Sequence, residues 1–279
     1  MTSPANAQSE YPARLRLALR RALALLQRHL FLLKASWPRF IELFFWPVLG
    51  MLITGYMSLY VSGKAASLSF LPSFLIGAVI LWTFTARSAT GMLVLLMEEY
   101  WSRNLAHLFV TPMRPLEYIV GLLCLCALRT GFAALLCALV AALVFDFNLL
   151  ELGLPMAGFI FNLLMSGWWL GLLLLSMMLR FGQASEWLGW YGAFLMEPIV
   201  GVYYPVTVLP QWIQHVSRFL PPTYAFEGMR AVFAHEPLPG GLFWHAFALN
   251  AVYLVVGGAF FLLAFRRARV RGGLLNVGE

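Results

Sequence analysis

Residues 118–145 read YIVGLLCLCALRTGFAALLCALVAALVF, an apolar run interrupted by a single charge, Arg129. Runs longer than about 18 residues match the hydrocarbon thickness of a bilayer. Lipid offers the backbone no hydrogen-bond partner, so such a run is helical. Comparable runs recur at 41–62, 71–97, 154–179, 187–204 and 243–265. The sequence therefore predicts an all-α integral membrane protein with six transmembrane helices. Composition agrees: 61% of the 279 residues are hydrophobic and 11% are charged, where a soluble domain carries about 25% charged residues. The alternating ten-residue segments of an outer-membrane barrel are absent.

Outward from the spans, residues 1–10 are polar and read as a disordered tail. Residues 11–38 read as an amphipathic interfacial helix. Leu15, Leu19, Ala22, Leu26, Leu30 and Leu33 repeat at spacings of three and four, and Arg14, Arg16, Arg20, Arg21, Arg28 and Lys34 fill the remaining surface. Pro38 ends or kinks this helix. The six-span domain then runs over 39–266, and 267–279 form a basic tail. The first 40 residues are too charged for the apolar core of a signal peptide, so the first span is expected to act as an uncleaved insertion signal.

Of the 19 lysines and arginines, 14 fall on one set of loops, on the N-terminal helix, in 98–117, at the turn around Arg180 and in the tail. Lys64, Arg218 and Arg230 fall on the other side. The positive-inside rule then puts both termini in the cytoplasm, which requires an even number of spans. Trp37, Trp46, Trp101, Trp187 and Trp244 sit near expected span ends, where an aromatic belt forms. The net charge of +7 accordingly reads as topology and contact with membrane lipids, not nucleic acid. Cys124, Cys126 and Cys137 share one apolar stretch without zinc-type spacing, so they read as small packing residues with neither disulfide nor metal.

Three segments depart from plain membrane helix. Residues 98–118, EEYWSRNLAHLFVTPMRPLEY, are too polar for lipid and too apolar for a bare linker. Leu105, Leu108 and Phe109 can form one short helical face, which Thr111-Pro112 stops. This is either a docking element for a soluble partner or a simple reversal between spans. Residues 201–239 hold six prolines: Pro205, Pro210, Pro221, Pro222, Pro237 and Pro239. They delimit short helices near 210–219 and 222–234, with Trp212 on an apolar face of the first and Glu227 and Arg230 paired on the second. These are either re-entrant outer helices between spans 5 and 6 or a loop lying on the outer surface. Third, Arg87 lies 11 residues before Glu98, and Arg129 lies 12 after Glu117. In antiparallel spans this puts both roughly 16 Å deep, where an arginine needs a partner or a wet cavity. Glu197, 11 residues after Glu186, reaches comparable depth. The three either line a translocation path, with Glu197 as counter-ion, or form a buried pair that fixes packing.

Motifs for chemistry are missing. No G-x-x-x-x-G-K-[ST] phosphate cradle occurs, and the only Gly-Lys pair is Gly63-Lys64, with Ser58 where the first glycine would stand. No GxSxG or HExxH appears, no catalytic residues stand out, and the histidines lack metal-ligand spacing. The chain carries no cofactor site and is not an enzyme by itself. Any ATP used must be hydrolysed by another subunit.

LAHLFVTPMRPLEYIVG resembles the loop after the second span in ATP-binding-cassette type-2 exporter permeases, through Leu105, Leu108, Thr111, Pro112, Arg114, Glu117 and Gly121. YYPVTVLPQWIQHVSRFLPPTYAFEGMRAVF looks like the outer segment of the same family, through Pro205, Leu209-Pro210, Trp212, Leu220-Pro221, Thr223, Glu227 and Arg230. Many members carry an acidic-basic-glycine run before the leucines. Here the run is Glu98, Glu99, Tyr100, Trp101, Ser102, Arg103, Asn104, without glycine. The resemblance implies a homodimer of permeases bound to two copies of a separate ATPase, which would hold ATP and magnesium. Residues 98–112, including Glu98, Glu99, Arg103 and Phe109, would form the coupling helix, and the N-terminal helix would brace the same interface. The expected function is export of a lipid, glycan-lipid or drug-like substrate across a bacterial inner (cytoplasmic) membrane. The alternatives are an ion-coupled carrier or channel working without an ATPase, and a membrane-embedded lipid-modifying enzyme.

Overall fold

The computed structural model describes residues 21, 23–24, 26–32, 34, 36–63, 71–102, 115–149, 153–234, 236–237 and 240–271. Every regular element among the described residues is helical. The long helices are α1 (Trp37–Ser62), α2 (Leu71–Trp101), α3 (Pro115–Phe145), α4 (Gly153–Phe181) and α8 (Leu242–Arg271). Between α4 and α8 lie three short ones: α5 (Glu186–Met196), α6 (Gln211–Ser217) and α7 (Pro221–Phe233). Described residues between 21 and 34 are helical as well and form part of the expected N-terminal helix.

Five helices are long and apolar enough to cross a membrane. Their packing sorts them into centre and periphery. The apolar stretches of α2 and α4 are 72% and 67% buried, against 22%, 39% and 22% for α1, α3 and α8. The two central helices pack on each other, α8 packs on α4, and α1 and α3 pack on α2 and on each other. The peripheral helices turn large apolar side chains outward, among them Leu143 and Val255. In water that surface would be an aggregation liability; in lipid it is the proper solvent. Trp37, Trp46, Trp101, Trp187 and Trp244 are all exposed, as an aromatic belt requires.

Small residues set the central contact. A Cβ on Gly167 would come within 2.6 Å of the Thr85 carbonyl oxygen, and one on Gly171 within 2.8 Å of Met92 Sδ. The GxxxG of α4 therefore lies in a close contact with α2. Polar glue joins α4 to α8. Asn250 has no exposed surface. Its Nδ2 donates to the Asn162 carbonyl at 2.9 Å, and its Oδ1 accepts from Ser166 Oγ at 2.9 Å and from Trp169 Nε1 at 3.1 Å.

Three expected boundaries move. Pro38 does not end the N-terminal helix; it stands in the first turn of α1, where its missing N–H is no loss, and the break falls at Ser36, whose backbone is extended. At the other end, α8 stays helical to Arg271, so the expected tail from 267 begins inside that helix. The largest change concerns span 5. The run 187–204 does not form one helix, because α5 stops at Met196 after 11 residues. That is roughly 16 Å of helix, about half a hydrocarbon core. Pro198 has no N–H with which to continue the helical ladder. Gly201 then takes φ +68°, and a Cβ there would lie 2.8 Å from the Tyr204 carbonyl oxygen. The chain turns instead of continuing, which hydropathy alone cannot register.

The segment from α5 to α7 joins opposite ends of the bundle. Gly189 of α5 rests against Leu93, towards the Trp101 end of α2, whereas in α7 Gly228 rests against Phe159 and Phe233 against Gly77, near the starts of α4 and α2.

Candidate functional site

At the end of the bundle where α2 stops and α3 starts, three carboxylates meet arginines from further towards the N terminus. Glu99, 2% exposed, receives both guanidinium nitrogens of Arg28, with Nη1 2.5 Å from Oε1 and Nη2 3.0 Å from Oε2. This is the forked geometry that makes arginine–carboxylate pairs strong. His29 Nε2 lies 3.9 Å from the same Oε1. Arg39 Nε lies 3.9 Å from Glu98 Oε1, and Arg21 Nη1 lies 3.2 Å from Glu117 Oε2. Arg21 and Arg28, seven apart on the N-terminal helix, thus have a purpose the sequence left unspecified. These side chains hold the helix to both flanks of the stretch 103–114. Glu98 and Glu99, expected to contact a partner, are engaged within the chain. Arg103, Leu105, Leu108, Phe109, Thr111 and Pro112 lie outside the described residues.

The intramembrane arginines do come together. Arg87 and Arg129 line one pocket of about 20 Å³ with Glu42, Thr90, Cys126 and Thr130, room for about one water molecule. Arg87 Nη2 donates to the Glu42 carbonyl oxygen at 3.2 Å. Thr130 is 1% exposed, and its Oγ1 has no hydrogen-bond partner. The acid that shares this pocket is Glu42, on α1, and not Glu197. Glu197 follows the last residue of α5 and accepts from Tyr203 Oη at 2.7 Å. Counting depth along a helix located the arginines but failed for Glu197, because its segment is not one continuous span. Glu42 escaped notice because it sits only one residue inside the expected span 1, where it reads as an end charge.

Arg129 and Leu43 also line a second, larger space of about 770 Å³, open at the side of the bundle. It lies between the N-terminal helix, the start of α1 and the middle of α3.

The outer segment is organised by the residues expected there. Pro205 precedes the 3₁₀ turn Val206–Val208, Pro210 precedes α6, and Pro221 stands in the first turn of α7. Trp212 is 70% exposed. Arg230 is the hub. Its Nη1 donates to Glu227 Oε1 at 3.0 Å, while Nη2 donates to the carbonyls of Gly201 and, at 2.6 Å, Tyr204. Ser217 Oγ, on α6, donates to the Ile199 carbonyl at 2.6 Å, tying α6 to the same turn.

The family model described as ABC-2 type transporter matches residues 20–234. No curated protein matches the chain.

Proposed function

The chain belongs to the ABC-2 type transporter family, and from that premise we propose that it is the transmembrane subunit of an ATP-driven exporter. It is a membrane permease and not itself an ATPase; the family works with an ABC ATPase subunit. In the proposed assembly two copies of this chain bind two copies of that ATPase, which holds ATP and magnesium. The substrate is a lipid, glycan-lipid or drug-like molecule moved outward across a bacterial inner membrane. Both termini are cytoplasmic, and the broken segment from α5 to α7 makes the sixth crossing, its outer part re-entrant.

One observation carries the reading. The N-terminal helix grips both flanks of 103–114, through Arg28–Glu99 on one side and Arg21–Glu117 on the other, and Arg39 at the start of α1 adds an ion pair to Glu98. A segment held at both ends transmits a push from a docked subunit into α2 and α3. A free loop would dissipate it. This supports a coupling helix at 98–112 and a bracing role for the N-terminal helix.

The test is a charge exchange. Arg28→Glu and Glu99→Arg, each alone, are expected to lower substrate-stimulated ATPase activity in proteoliposomes about tenfold or more, since each leaves a buried carboxylate or guanidinium unpaired. The double exchange should recover most of it. Full coupling in both single variants, or robust transport without nucleotide or ATPase partner, would overturn the reading in favour of an ion-coupled carrier or channel.

A further inference from the structure

The lateral space of about 770 Å³ has apolar walls and two cations. Trp37, Phe40, Phe132 and Leu135 supply the walls, with the rings of Phe40 and Phe132 5.8 Å apart. Gly131 leaves the groove floor bare, since a Cβ there would meet nothing within 4 Å. Lys34 and Arg129 supply the charge. Among the described residues neither makes a hydrogen bond or ion pair.

Three of the carboxylates nearby are already used. Glu98, Glu99 and Glu117 hold Arg39, Arg28 and Arg21. Glu42 shares the adjoining small pocket with Arg87. Lys34, Arg87 and Arg129 therefore face one acid, and the groove carries an excess of two positive charges. Arg129 is 14 residues inside α3 from Pro115, roughly 21 Å along the axis. A cation at that depth is costly against bare hydrocarbon. The charge calls for an anion, and the aromatic and leucine walls call for hydrocarbon chains.

We infer that this groove binds an anionic phospholipid-class amphiphile from the leaflet on the N-terminal-helix side, with its phosphate between Lys34 and Arg129 and its chains along Phe132 and Leu135. The guanidinium offers two parallel donors to the phosphate oxygens, and the ammonium adds a flexible third. Arg129 also borders the arginine pocket, so the bound phosphate sits beside Arg87 and Glu42 as well. The inference rests on the membrane-spanning reading of these helices and not on the ATPase partner.

The experiment uses the purified full chain in neutral detergent, without any ATPase. Native mass spectrometry would count lipids retained after exposure to mixed micelles of phosphatidylglycerol or of phosphatidylcholine, and thermal unfolding would be followed with inorganic phosphate alone. Phosphatidylglycerol should be retained about tenfold better than phosphatidylcholine, and Arg129→Gln and Lys34→Gln should each remove most of that preference, the scale of one lost charge-assisted contact. Arg129→Lys should keep part of it, and melts in neutral detergent would show that each variant is folded. Equal retention of the two lipids, or a preference unchanged in both glutamine variants, would overturn the inference. So would inorganic phosphate stabilising the chain as much as the lipid does. Efficient disulfide cross-linking of two copies through Leu135→Cys in a Cys124→Ser background would overturn it as well, because the groove would then be covered by a second copy.

Discussion

Asn250 shows what a single side chain does inside this bundle. Its amide is fully spent on α4, donating to Asn162 and accepting from Ser166 and Trp169. Polar contacts of this kind are worth about 0.6 kcal/mol each in membrane bundles, and up to roughly 1.7. Replacing one partner also strands the others, at about 1–3 kcal/mol for an unsatisfied buried group. Asn250→Leu is therefore expected to cost about 1–3 kcal/mol, read as a lower midpoint in denaturing-detergent titration. An unchanged midpoint would mean that water or neighbouring carbonyls replace the amide. Nothing in the sequence marked this residue, since one asparagine in an apolar run has no spacing to read. Arg87 and Arg129 were legible by contrast, because each could be measured from a fixed end charge. Their acid neighbour was not, since Glu42 meets them only when α1 packs across α2 and α3.

At the scale of elements, the outer segment depends on Arg230. The guanidinium fork reaches Glu227 on its own helix and two carbonyls in the turn after α5. Lysine keeps the charge but offers one compact donor group. Arg230→Lys should loosen the turn at 197–204 without unfolding α7, raising amide exchange there about tenfold, equivalent to roughly 1.4 kcal/mol. Exchange that rises equally throughout the chain would point to global destabilisation instead. The proline pattern at Pro205, Pro210 and Pro221 located these short helices correctly, because proline fixes φ and cannot donate to a helix already under way. The shortening of span 5 to α5 was not legible from hydropathy, since Glu197–Tyr204 is apolar enough to continue. What stops the helix is geometry, with Pro198 followed by a left-handed Gly201. Among the described residues, the N-terminal helix is the element whose role changed most. Its apolar face predicted only that it lies in the headgroup layer. The arginines on its other face turn out to fasten it to Glu99 and Glu117.

For the whole molecule, the closeness of α2 and α4 decides the architecture. Gly167→Val would drive a side chain into the Thr85 carbonyl and Ser88 Cβ, which lie 2.6 and 2.5 Å from an ideal Cβ. Backbone cannot yield there as a flexible side chain can, so the central pair must separate, at about 1–3 kcal/mol for overpacking. The expected result is a lower yield of folded protein and a lower thermal midpoint. Gly258→Ala, where a Cβ meets nothing within 4 Å, should leave both unchanged. Similar losses in the two variants would show that helix propensity or insertion, and not interhelical distance, governs stability.

By itself the sequence determined that this chain lives in a membrane and that it is helical. Those properties follow from the lengths and polarity of contiguous runs, because lipid acts on each segment separately. Its two interrupted segments also carried the family resemblance, which depends on local motifs. The tertiary structure decided which charges meet, which span is broken, and that α2 and α4 are the buried pair. Each of these depends on the rotation of one helix about its axis against another, and on backbone angles at single residues. Hydropathy averages both away, since a leucine facing lipid and a leucine facing the bundle count the same until the helices have packed.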